Sequence, residues 1–202
     1  MSESSSRGEE GGVSPPSAGR RVYLVRHGEA AASWAQAADP GLSAEGHEQA
    51  ADACRALALR LENSPVALIS SPLRRARETA APLSERLGMP VKIDERFREI
   101  PSPVALEQRQ DWLRAFMRRR WSMQAASLHE WRNRVLGAFA TLEDQSVVFT
   151  HFLVLNTILG WAEHRDETLL YWPANASITV ASEDTEGHWD FEPGEQMRSR
   201  VN

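Results

Sequence analysis

Four short runs of strand-forming residues are spread along this chain, and segments of helical periodicity separate them. The runs occupy Val22–Val25, Val66–Ser70, Val91–Ile93 and Ser146–Thr150. Strands that alternate with helices form a mostly parallel sheet, because each crossover places a helix on one face of that sheet. The alternation therefore predicts an α/β fold with three layers, α/β/α, in which helices cover both faces of a mostly parallel central sheet.

Residue types that mark helix ends bracket the intervening segments. Ser43 can cap a helix that extends to about Leu61. A second helix is predicted to begin at Pro72 and to end before Gly88. A third helix, apolar along its whole length, is predicted over Phe152–Trp161.

A helical insertion is predicted between the third and fourth strands, over about residues 103–143. Its first amphipathic helix reaches from Val104 to Trp121, and Ser127 with Glu130 predicts a capping box at the start of the second. Three tryptophans are expected to pack these helices together, with a pocket for an apolar group as the alternative: Trp112, Trp121 and Trp131.

The two ends of the chain differ in character. Residues 1–20 are rich in Ser, Gly, Pro and Glu, and they are predicted to be a disordered tail because they offer too little apolar surface to bury. Residues 21–202 are predicted to form one domain. Near its end, Ser177–Ala181 and His188–Phe191 are expected to pair as antiparallel strands at an edge of the sheet.

Composition excludes several classes of function. The chain has 23 basic and 28 acidic residues, a net charge of −5, which argues against a nucleic-acid partner. No stretch approaches the ~20 apolar residues of a membrane-spanning helix. Cys54 is the single cysteine, which excludes an internal disulfide and a cysteine-based zinc site. Because the N-terminus carries no apolar signal segment, the expected location is the cytoplasm.

Charged and nucleophilic side chains follow three of the predicted strands. Arg26 and His27 follow the first strand, Arg75 follows the second, and His151 follows the fourth. The carboxyl ends of parallel strands meet at one edge of an open α/β sheet, where ligands bind. Guanidinium groups match the geometry of phosphate oxygens, so this edge is predicted to bind a phosphate-like dianion.

The segments around these residues resemble the histidine phosphatase superfamily, branch 1, whose fold is phosphoglycerate mutase-like. The resemblance runs in family order over residues 21–182. Its segments are Arg26-His27-Gly28-Glu29, residues 39–46, residues 70–79, Phe97-Arg98-Glu99-Ile100, residues 148–151 and residues 175–179.

The resemblance implies roles for particular residues. His27 matches the nucleophile that becomes a phosphohistidine, and Glu99 matches the general acid and base. Arg26, Arg75 and His151 match the groups that bind the phosphoryl oxygens, and His151 counts with the catalytic residues as well. The positive charge of the two arginines can stabilise the phosphoryl oxygens as a metal ion often does, so neither a metal nor another cofactor is expected.

Three further positions are candidate site residues. Glu29 either orients the site or caps a turn. Ser33 and Phe152 depart from the family, in which an asparagine and a glycine are usual. The family's Gly-x-Trp-Glu-Gly stretch is also replaced, here by residues 100–103. All these departures fall where the family sets substrate specificity.

The predicted function is therefore a metal-independent phosphatase that acts on a small phosphorylated metabolite or a phosphoprotein. Three alternatives remain open. They are a phosphoglycerate mutase-type phosphotransferase, a phosphohistidine or phosphoprotein phosphatase, and a phosphate-binding adaptor without turnover. The sequence carries no signal for an oligomeric state.

Overall fold

A six-stranded sheet forms the centre of the computed structural model, which describes residues 19–32, 37–61 and 67–197. The predicted tail falls almost wholly outside the described residues, and so do Ser33 and Val66. The strands, in chain order, are β1 (Arg21–Arg26), β2 (Ala67–Ser70), β3 (Val91–Ile93), β4 (Ser146–Thr150), β5 (Ile178–Glu183) and β6 (Trp189–Glu192).

The strands lie in the order β3-β2-β4-β1-β5-β6. The first four of these are parallel to one another, whereas β5 is antiparallel to both β1 and β6, as predicted for the last pair. Arg26 is the register partner of Thr150, and Ser70 is that of Phe149. The carboxyl ends of β1, β2 and β4 therefore lie side by side in the middle of the sheet.

In the described part of the chain, five α-helices connect and cover these strands. Two predicted helix ends are confirmed. Ser43 caps the first helix through its Oγ, which accepts a hydrogen bond from Gly46 N–H at 3.0 Å, and Gly88 ends the second in the left-handed conformation at φ 64°. The helices are α1 (Ala44–Arg60), α2 (Arg74–Leu87), α3 (Arg109–Met117), α4 (Ala126–Ala140) and α5 (Phe152–Ala162).

Alternate side chains of β1 point into two separate cores. Tyr23 and Val25 pack with α1 and α2 on one face of the sheet. Val22 and Leu24 pack on the other face with α4, α5 and the buried aromatic residues of the insertion. The predicted three-layer α/β/α fold is therefore confirmed.

The insertion between β3 and β4 differs in detail from the prediction. The predicted helix over Val104–Trp121 is wrong, because α3 ends at Met117 and Trp121 N–H instead donates to the carbonyl of Asp166 at 2.7 Å. The predicted capping box is also wrong. The carbonyl of Ala125 accepts from the first turn of α4, so this helix begins ahead of Ser127.

The start of α2 also differs. It begins at Arg74 and not at Pro72, after a Leu73 that offers no side-chain cap.

The tryptophan prediction, by contrast, is confirmed. Trp121 stacks on Trp131 of α4 with ring centroids 6.2 Å apart, and it meets Phe116 of α3 edge-on at 5.5 Å. Among the described residues, no helix combines the length and apolar character needed to cross a lipid bilayer.

Candidate active site

The sheet brings the two predicted histidines together. His27 follows β1 and His151 follows β4, and His27 N–H continues the pairing of these strands by donating to Thr150 O at 2.9 Å. The centroids of the two imidazole rings lie 5.2 Å apart. Both rings are buried. The prediction that separate strand ends meet at one edge is confirmed.

Hydrogen bonds fix the protonation of the His27 ring. Nδ1 lies 2.7 Å from the carbonyl oxygen of Gly28, so Nδ1 carries the proton and donates it. Nε2 then has a free lone pair, and Arg75 Nε donates to it at 3.1 Å. Burial and the nearby guanidiniums of Arg75 and Arg26 hold the pKa of His27 well below 6.5. The ring is therefore neutral at pH 7, with Nε2 as its nucleophilic atom.

Ser71 fixes the orientation of His151. Its Oγ lies 2.6 Å from His151 Nε2 and accepts a bond from Leu73 N–H at 3.3 Å. The Ser71 oxygen has one proton and two lone pairs, so it can accept from Leu73 and still either donate to Nε2 or accept from it. When Ser71 donates to Nε2, the ring proton of His151 lies on Nδ1. That nitrogen is buried and has no hydrogen-bond partner among the residues that the structure describes. Sequence reasoning missed this role of Ser71.

Two arginines add buried donors beside the histidines. Arg26 is anchored by a bond from Nη1 to Pro173 O at 2.7 Å, and its Nε has no partner in the described part of the chain. Arg75 Nη1 is likewise buried without a described partner. Burial lowers the pKa of Arg26 to about 10, and it also lowers the pKa of Arg75. Arg26 therefore stays charged at pH 7 with donor capacity left for an anion.

Glu99 is held by backbone donors at the same site. Its Oε1 accepts from Ile100 N–H at 3.0 Å, and its Oε2 accepts from Leu153 N–H in the first turn of α5 at 3.4 Å. Burial raises the pKa of Glu99 above its usual value, against the opposite effect of these hydrogen bonds and of the two arginines. A carboxyl group with a raised pKa is suited to give up a proton near neutral pH.

Thr79 of α2 links the backbone next to His27 to the backbone of Arg75. Its Oγ1 accepts from Gly28 N–H at 3.0 Å and donates to Arg75 O at 2.7 Å. Glycine at position 28 permits a close approach to α1, since a Cβ on Gly28 would lie 2.5 Å from the carbonyl oxygen of Gly46.

A cavity of about 480 Å³ opens at this edge of the sheet, and Arg26, His27, Arg75 and Glu99 line it. Phe152 also lines it, packed under the Arg26 guanidinium at 5.3 Å. In the described ranges, no cluster of three or more His, Cys, Asp or Glu residues could hold a metal ion.

The other candidate, Glu29, lies at the mouth of this cavity. It is exposed, and its carboxylate accepts from Ser43 Oγ at 2.8 Å. The side chain thus supports the start of α1 while it faces the cavity. Ser33 lies outside the described residues.

Residues 22–192 match the family model of the histidine phosphatase superfamily, branch 1. The chain belongs to this superfamily. The matched range begins in β1 and ends with β6, so it contains every strand of the sheet and all the described candidate residues.

Two relatives of this histidine phosphatase are named for different activities, one as a phosphatase and one as a mutase. Glucosyl-3-phosphoglycerate phosphatase of Mycolicibacterium vanbaalenii is 43% identical over 84 residues, which are 40% of this chain and 36% of that protein. The match thus spans little more than a third of that relative. A protein named as a probable phosphoglycerate mutase of Escherichia coli is 30% identical over 72% of this chain and 79% of its own length.

Among solved structures, a mycobacterial glucosyl-3-phosphoglycerate phosphatase superposes with a TM-score of 0.69 at 26% identity. The superposition covers 88% of this chain and 99% of that one. The likeness therefore includes the insertion as well as the sheet.

Proposed function

We propose that this histidine phosphatase hydrolyses phosphomonoesters through a phosphohistidine on His27, without a metal ion. The neutral His27 ring carries the proposal, because its nucleophilic Nε2 lies against the Arg75 guanidinium in a cavity shared with Arg26 and Glu99. An anion that entered this cavity would find the nucleophile and the cationic donors together. The names of the relatives support a phosphatase or a mutase.

In the first step, His27 Nε2 attacks phosphorus and the bond from phosphorus to the leaving oxygen breaks. The phosphoryl oxygens take over the Arg75 donor that now bonds Nε2, while Arg26 and His151 supply further donors. Glu99, whose pKa is raised by burial, gives the proton of its acid form to the leaving oxygen. The products are the free alcohol and a phosphohistidine.

In the second step, water attacks the phosphohistidine and the P–N bond breaks, so that Nε2 recovers its electron pair. The Glu99 carboxylate takes the proton of the attacking water and returns to its acid form. Arg26 and Arg75 balance the charge on the equatorial oxygens in both steps. Two fixed guanidiniums thus provide the charge stabilisation that a metal ion provides elsewhere.

A mutase would have to retain the alcohol and phosphorylate it again. For a phosphoglycerate this requires a cation that holds the carboxylate. Beyond Arg26 and Arg75, the described lining of the cavity offers Arg114, which is exposed and lies 3.5 Å from the Asp111 carboxylate. This observation favours the hydrolase over the mutase.

The experiment is hydrolysis of p-nitrophenyl phosphate in EDTA, together with trapping of phosphate on the protein in an acid-labile, alkali-stable form. We expect both signals from the wild type and neither from His27→Ala, with a loss in kcat of at least about a thousandfold. His47→Ala is the matched control, since His47 is exposed on α1. Activity that persists in His27→Ala overturns the nucleophile, and activity lost in EDTA overturns metal independence.

A further inference from the structure

One face of α3 forms a side of the active-site cavity. Gln110, Leu113, Arg114 and Met117 follow one another at helical spacing, and all four line the cavity. Leu113 and Met117 are half-buried, whereas Gln110 and Arg114 are exposed. The helix therefore presents hydrocarbon to the interior of the cavity and keeps its polar groups in water at the mouth.

Other parts of the lining are also apolar. Phe152 and Trp172 lie with ring centroids 5.2 Å apart at a tilt of 55°, and Met197 lines the same cavity. Together with two residues of α3 and one that follows Glu99, they form a set of apolar lining residues that we name the apolar wall. Its members are Ile100, Leu113, Met117, Phe152, Trp172 and Met197.

Most polar groups near the apolar wall already have partners or face solvent. Glu29 accepts from Ser43, Arg114 pairs with Asp111, and Gln110 is exposed. Asn175 is the exception, since it lines the cavity and its buried Oδ1 has no partner among the described residues. A sugar or glycerate carries several hydroxyl groups, and most of them would lie against carbon in this space. Each hydroxyl buried without a partner lowers affinity by about tenfold, whereas each methylene that is buried raises it by about threefold to fourfold.

We infer that the substrate is a phosphomonoester of an apolar alcohol, whose hydrocarbon part packs on the apolar wall while the phosphate binds at His27. The inference rests on the proposed phosphatase function and names its substrate class. The cavity, about 480 Å³, lies within the range of about 300–1,000 Å³ usual for small-molecule sites. It has room for a hydrocarbon group besides the phosphate.

The test compares esters whose leaving groups are all primary alcohols, so that the chemistry stays constant while the hydrocarbon grows. The probes are ethyl, propyl, butyl and hexyl phosphate, with glycerol 3-phosphate and 3-phosphoglycerate as polar counterparts. We expect kcat/KM to rise about 100-fold from ethyl to hexyl phosphate, the product of four added methylenes. Glycerol 3-phosphate should be at least about tenfold poorer than propyl phosphate, which has the same carbon chain.

A double variant assigns the gain to the wall. Leu113→Gln with Met117→Gln keeps good helix formers in α3 but makes its inner face polar. We expect the hexyl-to-ethyl ratio of kcat/KM to fall below about tenfold, since the buried methylenes lose their apolar contact. The ratio is taken within one preparation, so it does not depend on how much of the variant folds. Leu59→Gln is the matched control, because Leu59 is 74% exposed on α1.

The outcomes separate the two proposals. Hydrolysis of all the esters with a flat dependence on chain length, or a preference for 3-phosphoglycerate, overturns the substrate class and leaves the phosphatase standing. Unchanged selectivity in the double variant overturns the assignment to the apolar wall. Failure of the wild type to hydrolyse any ester overturns the proposed function, and the substrate class falls with it.

Discussion

The two ends of the cavity are built in different ways. Arg26, His27, Arg75 and Glu99 line the phosphoryl end, and the buried His151 ring lies 5.2 Å from that of His27. These residues follow strands of the sheet or belong to the helix and turn beside them. The apolar wall is assembled from α3 and from loop residues such as Trp172 and Met197. Backbone hydrogen bonds of the sheet fix the first end, whereas side-chain packing shapes the second.

This difference separates chemistry from selectivity. A parallel sheet holds the ends of neighbouring strands in register, so charged groups placed there keep their spacing. The wall depends on rotamers of half-buried side chains, which tolerate substitution better. We therefore expect changes at the phosphoryl end to reduce the rates for ethyl and hexyl phosphate alike, and changes in the wall to alter their ratio.

The largest effect is expected from Arg75→Lys. A lysine carries the charge but lacks the Nε donor that now bonds His27 Nε2 and the planar fork that matches phosphate oxygens, so kcat/KM should fall about 10²–10³-fold for both esters. The measurement is steady-state kinetics on both esters, with inhibition by inorganic phosphate as a check on anion binding. Arg74→Lys is the matched control, since Arg74 is exposed and pairs with Glu78. Equal losses in the two variants would contradict the role of Arg75.

The next effect is expected from Glu99→Gln. Without a proton donor, an alkoxide is a poor leaving group, so kcat should fall about 100-fold on alkyl phosphates but less than about tenfold on p-nitrophenyl phosphate. Equal losses on the two kinds of ester would remove Glu99 from the acid role.

The pH dependence of the same variant gives a second check. Catalysis needs neutral His27, whose pKa is held well below 6.5, so the acid-side fall in kcat/KM should lie well below pH 6.5. It also needs protonated Glu99, whose pKa is raised by burial, so activity falls as pH rises through that value. This alkaline limb should be absent from Glu99→Gln, and its persistence would assign it to another group.

The smallest effect is expected from Ser71→Ala. The hydroxyl does not line the cavity but bonds His151 Nε2, and its removal should lower kcat about tenfold with the hexyl-to-ethyl ratio unchanged. Nitrogen NMR of His151 should show that the distribution of the ring proton between Nδ1 and Nε2 changes. Ser122→Ala is the control, because Ser122 is exposed, does not line the cavity, and donates from its hydroxyl to the Asp166 carboxylate. An unchanged His151 spectrum would mean that Ser71 is only structural.

The phosphoryl end could be predicted from sequence because its signals are local. Arg26 and His27 directly follow an apolar strand, and His151 directly follows another, so the topology rule alone brings them together. The same holds for α1 and its cap at Ser43. The interaction of Ser71 with His151 joins residues 80 positions apart and leaves no periodic pattern, so only the folded chain reveals it.

The wall could not be predicted, since it depends on where helices stop. The alternative prediction was that the tryptophans of the insertion form an apolar pocket. Trp121 and Trp131 instead stack on each other in the core, and it is Trp172 that lines the cavity. Amphipathic spacing gave the inner face of the insertion correctly. It did not reveal that Trp121 would pair with Asp166 and end the helix early. A tertiary hydrogen bond of this kind can outweigh the intrinsic helix propensity of the residues before it.

The Thr79 hydroxyl bonds Gly28 and the carbonyl of Arg75, and thereby joins β1 to α2 on the face of the sheet opposite the insertion. A substitution in α3 therefore does not alter the hydrogen bonds that link the backbone beside His27 to Arg75. Residues such as Leu113 and Met117 can therefore be exchanged one at a time while the contacts among Gly28, Thr79 and Arg75 stay in place. The layered architecture makes the choice of ester adjustable independently of the phosphoryl chemistry.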